Sequence, residues 1–84
     1  MAQNNMRDRE QEARVYGKIV FKLKDVFRAL GKTPKDIAVE TESNPVIVKR
    51  AYNGATIPSY ELLARICSVY NLRIEDLIEY QKPD

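Results

Sequence analysis

The side chains that carry most covalent and metal chemistry are nearly missing from this 84-residue sequence. It has no His, and Cys67 is its single cysteine. A Cys/His zinc site, a His-based catalytic triad and a disulfide framework are therefore excluded together. Cys67 falls at an apolar helical position with no His or second Cys nearby, so a buried, inert thiol is expected. Glu75, Asp76 and Glu79 could suggest a metal site. They fit better as first-turn charges and a solvated face on a last helix, where negative charge suits the N-terminal dipole. There is no glycine-rich phosphate loop and no paired carboxylate with a plausible cleft, so no enzyme, no metal and no cofactor is expected. The chemistry left to the chain is binding.

Charge is more informative in its distribution than in its sum of +2. Residues 1–30 hold seven basic groups (Arg7, Arg9, Arg14, Lys18, Lys22, Lys24, Arg28) against four acidic ones, whereas residues 55–84 hold three against five. Such a balance permits a polyanionic partner without demanding one. Hydrophobic residues at 44% and charged residues at 31% indicate one folded domain with a small core. No apolar run approaches the roughly 20 residues needed to span a bilayer. The first fourteen residues carry both charge signs and no apolar core, unlike a signal peptide. A cytoplasmic protein with no membrane association is expected.

The elements that must position the binding residues follow from spacing and cap signals. Residues 1–14 read as a polar arm or helix extension, 15–80 as the folded domain and 81–84 as a loose tail. A first helix is expected from Val15 to Leu30, with Ile19, Leu23, Val26, Phe27 and Leu30 on one face. Thr33-Pro34 and Asn44-Pro45 each pair a capping side chain with Pro at the first helical position. They open a second helix ending near Thr41 and a third running from Pro45 to Tyr52. Val48 and Ala51, with Tyr52 beside them, form the inner side of that third helix. Ser59 caps a fourth helix to Tyr70, apolar around much of its circumference, and a fifth is expected from Ile74 to Tyr80. Tyr16, Tyr60, Tyr70 and Tyr80 read as amphipathic packing residues. No strand is expected; the fold class is all-α with five helices.

The segment from Ile37 to Gly54, IAVETESNPVIVKRAYNG, resembles the Cro/lambda-repressor-like helix-turn-helix, the XRE family. The fit runs without a gap from Leu23 to Ile78 and includes Gly31-Lys32-Thr33, Asn53-Gly54, Pro58-Ser59, Leu63 and Ile66. The resemblance implies a five-helix lambda-repressor-like domain with a helix-turn-helix at helices two and three. It also implies a sequence-specific, duplex-DNA-binding transcriptional regulator or repressor of bacterial, phage or mobile-element type, nucleoid-associated in the cytoplasm. In that family the third helix enters the major groove while the second crosses the backbone. Carried over by position, Thr33 and Lys35 meet phosphate. Asn44, Pro45, Val46, Lys49 and Arg50 face the groove, Arg50 being suited to guanine through its bidentate fork. Val46 and Ile47 press on thymine methyls, and Asn53 holds a sugar–phosphate oxygen. A two-fold operator requires a homodimer, with contacts from the last helices or the N-terminal arm.

The sequence departs from the family pattern at defined places. Pro34 stands where many members have Gln, Glu42 where the turn usually has Gly, and Ala55-Thr56-Ile57 where basic residues often grip the backbone. Lys32 replaces a buried apolar residue and must keep its ammonium in water. Phe27 and Tyr52 occupy positions where members often pair an Arg with a Glu, and an aromatic contact is expected instead. These departures keep a second reading open: a protein-interaction module, of adaptor or anti-repressor type, that engages a protein partner through Val46 and Ile47 and binds DNA weakly or not at all. Lys49 and Arg50 are then solvated residues. The basic residues of the arm are interleaved with Asp8, Glu10 and Glu12, which favours a self-paired helix surface over a minor-groove or phosphate arm.

Overall fold

Capping side chains start the second, third and fourth helices, and left-handed residues follow the first four. The computed structural model describes residues 16–83. Its elements run β1 (Lys18–Phe21), α1 (Leu23–Leu30), α2 (Pro34–Glu40), α3 (Pro45–Tyr52), α4 (Tyr60–Tyr70), α5 (Ile74–Leu77) and β2 (Ile78–Gln81). α1 stops at Gly31, whose φ of 71° suits a residue without Cβ. The Lys32 N–H then reaches back to the Phe27 carbonyl at 2.9 Å. At the start of α2, Thr33 and Asp36 cap each other. Thr33 Oγ1 accepts from the Asp36 N–H at 3.1 Å, and Asp36 Oδ2 accepts from the Thr33 N–H at 3.0 Å. Asn44 Oδ1 accepts from the Val46 and Ile47 N–H groups at 2.8 and 3.3 Å, and Ser59 Oγ accepts from Leu62 at 3.1 Å.

All five helices contribute to one core. Leu23 and Phe27 of α1, Ile37 and Ala38 of α2, Val48 and Ala51 of α3, Leu62, Leu63 and Ile66 of α4, and Leu77 of α5 are buried. The expected aromatic contact is present: the Phe27 and Tyr52 rings stack with centroids 5.4 Å apart and planes 25° from parallel. Lys24 Nζ lies 5.4 Å from the Tyr52 centroid, so a cation covers the ring where the family often has an ion pair.

The two ends of the described chain correct the all-α expectation. β1 and β2 pair antiparallel, Lys18 with Gln81, Ile19 with Tyr80, Val20 with Glu79 and Phe21 with Ile78. The first helix therefore begins at Leu23 rather than near Val15, and the fifth ends at Leu77 rather than Tyr80. Gln81 is part of a strand rather than a loose tail. Lys-Ile-Val-Phe is rich in β-branched and aromatic residues, and its spacing fits a helix only when the partner strand is ignored. Ile19, assigned to a helical core face, is an exposed strand residue. No side chain fits at Gly17: a Cβ there would lie 2.0 Å from the Gln81 carbonyl oxygen. Its N–H donates to the Tyr80 hydroxyl at 3.2 Å.

Other packing expectations change too. Tyr60 is 91% exposed, Tyr16 and Tyr80 are more than half exposed, Val69 about half, and Cys67 is half-buried rather than buried. Burial still raises the Cys67 thiol, with Asp76 and Glu75 adding to the shift, so the unreactive protonated form is favoured. Glu75, Asp76 and Glu79 build no metal site: no metal-binding cluster occurs among the described residues, and Asp76 Oδ2 accepts from the Arg73 N–H at 2.9 Å. The polar arm 1–14, its basic residues, Val15 and Asp84 lie outside the described residues.

Candidate nucleic-acid interface

α2, the turn and α3 form the unit on which the candidate contact residues sit. The turn is held by its own side chains and by one from α4. Thr41 is buried; its hydroxyl donates to the Ile37 carbonyl at 2.6 Å and lies 2.9 Å from the Ser43 hydroxyl. Glu42 adopts φ 54°, the left-handed conformation that family members usually give to Gly. Arg65 of α4 braces it. Arg65 Nη1 donates to the Glu42 carbonyl at 2.6 Å and to the Thr41 carbonyl at 3.3 Å, while Nη2 pairs with Glu61 at 2.9 Å. This brace was missed from sequence. Its one local signal is the i,i+4 spacing of Glu61 and Arg65, which indicates a helix-surface pair and says nothing of the turn.

A second network fixes the far end of α2. Lys32 Nζ donates to Glu40 Oε2 at 2.8 Å, and the Tyr70 hydroxyl donates to Glu40 Oε1. The Lys32 hydrogen bond, helped by that of Tyr70, holds the Glu40 carboxyl below its ordinary value, and the Glu40 bond raises Lys32. Burial and then Glu40 push the Tyr70 hydroxyl well above the usual phenol range. Lys32 thus keeps its ammonium at the surface as expected, but against a specific carboxylate.

The structure separates the two sides of α3. Val48 and Ala51 are buried, whereas Asn44, Pro45, Val46, Ile47, Lys49, Arg50 and Asn53 are exposed. Val46 is 57% and Ile47 52% exposed, high values for large apolar side chains on a structured helix. Neither Lys49 nor Arg50 forms an ion pair among the described residues. Asn44 spends its Oδ1 on the cap, which leaves its amide N–H groups free to donate. Thr33 and Lys35 are exposed at the start of α2. The capping box uses the Thr33 N–H and one lone pair of its oxygen but leaves the hydroxyl hydrogen available. Hydrogen bonds from the Thr33 backbone and then its side chain hold the Asp36 carboxyl below its ordinary value. That end of α2 therefore carries a negative charge beside Lys35.

Sequence reasoning also missed Val39. It is 69% exposed on α2 and lines an open notch of about 320 Å³ with Pro34, Lys35, Ala38, Ser43, Pro45 and Lys49. The notch thus brings Lys35 of α2 beside Pro45 and Lys49 of α3, while Asn44 and Ile47 line a separate hollow with Glu42, Glu61 and Arg65. Among the described residues no helix is long and apolar enough to cross a membrane.

A family model described as a Cro/C1-type HTH DNA-binding domain matches residues 22–83. No curated protein and no solved structure matches the chain.

Proposed function

This chain belongs to the Cro/C1-type HTH DNA-binding domain family, and from that premise we propose that it is a sequence-specific transcriptional regulator of bacterial or phage type. The observation that carries the proposal is the uncovered outer side of α3, where Lys49 and Arg50 stand beside Val46 and Ile47. In this reading α3 lies in the major groove and α2 crosses the backbone. The Thr33 hydroxyl and Lys35 meet phosphate, and the Asn44 amide donates to the backbone or a base edge. The Arg50 fork engages guanine, Pro45, Val46 and Ile47 supply apolar contact, and Asn53 takes a sugar–phosphate oxygen. A homodimer on a two-fold operator, repression, a phage or mobile-element setting and a nucleoid-associated, cytoplasmic location complete the proposal. Binding rather than turnover is the activity.

Selection of bound sites from random duplexes, followed by anisotropy titration at two salt concentrations, tests it. One preferred site should emerge. Its affinity should fall steeply as salt rises, with a log–log slope of about −0.9 for each phosphate neutralised. Negligible affinity for every duplex at low salt overturns it.

A second reading has its own observation. Val39, Val46 and Ile47 are large apolar residues left more than half exposed, and such a surface also suits a protein partner. In that reading the chain is an adaptor or anti-repressor module. The same titration decides, because a protein-binding module has no reason to weaken along a counterion-release slope on DNA.

A further inference from the structure

Residues 41–44 set the angle between α2 and α3, and their N–H and carbonyl groups are held in different ways. The N–H side is local: the Thr41, Glu42 and Ser43 N–H groups return to the carbonyls of Ile37, Val39 and Ala38 in α2. The carbonyl side is not. Among the described residues no backbone N–H reaches the Thr41 or Glu42 carbonyl, the acceptors left over where a helix stops. Arg65 of α4 supplies the missing donor, its Nη1 donating to Glu42 at 2.6 Å and to Thr41 at 3.3 Å. The Ser43 hydroxyl gives the Thr41 carbonyl a second bond at 3.3 Å, whereas the Glu42 carbonyl has Arg65 alone among the described residues. Nη2 is anchored on Glu61, one turn back along α4, at 2.9 Å.

Two plainer roles fit these contacts less well. A helix-surface ion pair needs Glu61 and nothing of the turn. A phosphate ligand needs an unpaired charge, and both Nη groups of Arg65 are engaged within the chain. The Glu42 carbonyl matters because Glu42 stands at φ 54°, a conformation that is costly for a residue with a side chain and free for Gly. Releasing that carbonyl lets Glu42 relax toward negative φ and tips the Asn44-capped start of α3 with it. We infer that Arg65 is a positioning residue for DNA reading: its planar fork clamps the turn in the left-handed form and so fixes the pose in which α3 meets the duplex. Specificity is then set in part from α4, by a side chain that need not touch DNA, a role that rests on the duplex-binding reading above. Lys cannot replace Arg65, because its ammonium is a single point where the guanidinium holds the turn and Glu61 at once.

The test uses the full chain and two duplexes, the one recovered by site selection and a scrambled one of the same length. Arg65→Lys keeps the charge and removes the fork; Arg65→Ala removes both. Each should lower affinity for the selected duplex about tenfold, the scale of one misplaced base contact, and leave the scrambled duplex within about twofold. An unfolded fraction lowers both affinities alike, so a purely structural role would not move their ratio. Combined with Glu42→Gly, Arg65→Lys should cost the selected duplex no more than about twofold, because Gly keeps the left-handed turn unaided. Unchanged affinity in Arg65→Lys shows that charge suffices and overturns the clamp. Equal losses on both duplexes make Arg65 a phosphate contact or a stability residue and overturn it as well. So does an undiminished loss in the combination with Glu42→Gly. Those three results leave duplex binding standing, whereas failure of the parent chain to bind any duplex at low salt overturns the functional reading and this role together.

Discussion

The two sides of α3 are built from the same eight residues and obey different rules. On the inner side, Val48 and Ala51 are buried, and Tyr52 stacks on Phe27 under the Lys24 ammonium. On the outer side, Val46, Ile47, Lys49 and Arg50 are exposed, and neither cation forms an ion pair among the described residues. The inner side is explained by folding alone. The outer side leaves two large apolar residues in water, which folding does not require, and the proposed reading gives them a binding role. Substitutions should separate the two sides cleanly.

The largest effect belongs to the inner side. Phe27→Ala removes a fully buried ring, and urea unfolding should show a loss of about 3–5 kcal/mol, enough to unfold a domain this small. Added to Tyr52→Ala in a double-mutant cycle, it should reveal a coupling of about 0.5–1.5 kcal/mol; additive losses would deny the stacking. Arg50→Ala is the outer counterpart. Stability should stay within about 0.5 kcal/mol, while affinity for the selected duplex should fall by about 1–3 kcal/mol with relaxed preference at one position. A stability loss comparable to that of Phe27→Ala would break the comparison.

The turn joining the two helices sharpens it further. Glu42 holds φ 54°, so Glu42→Gly should stabilise the domain by about 1 kcal/mol in the same unfolding assay. On the proposed duplex-binding reading it should also strengthen low-salt DNA binding, because one negative charge near the recognition helix is removed. A neutral or destabilising result would show that the Arg65 brace already absorbs the strain.

The smallest effect is one of pH. Hydrogen bonds hold the Glu40 and Asp36 carboxyls below their ordinary values in the fold. Each therefore contributes stability that is present above its unfolded pKa and is lost as pH falls through the lower folded one. Thermal midpoints should decline below about pH 4, the ordinary carboxylate range. Glu40→Gln should flatten that decline, and an unchanged pH profile would show that the Lys32–Glu40–Tyr70 network adds nothing.

What could be seen in advance divides along local and non-local lines. The start of α2, the bounds of α3 and the caps at Thr33, Asn44 and Ser59 were legible because each is written within four consecutive residues. The Phe27–Tyr52 stack was legible through the family register, which pairs those positions. The β1–β2 ladder was not: Lys18 finds Gln81 only after the helices have brought the ends together, and a run such as Lys-Ile-Val-Phe is locally ambiguous. Arg65 escaped for the same reason, since its carbonyl partners at the turn lie more than twenty residues upstream. The exposure of the candidate contact residues was legible from the helical spacing, which puts Val48 and Ala51 on the opposite side. Val39 was not, because an exposed valine on α2 has meaning only once Pro34 and Pro45 are seen to share its notch.

The most direct measurement is an amide chemical-shift titration of the full chain with the selected duplex. If the outer side of α3 is the reading surface, the shifts should concentrate at Thr33–Lys35, Val39 and Asn44–Asn53 and leave β1 and β2 unmoved. Shifts confined to the strands, or none at saturating DNA, would contradict the account.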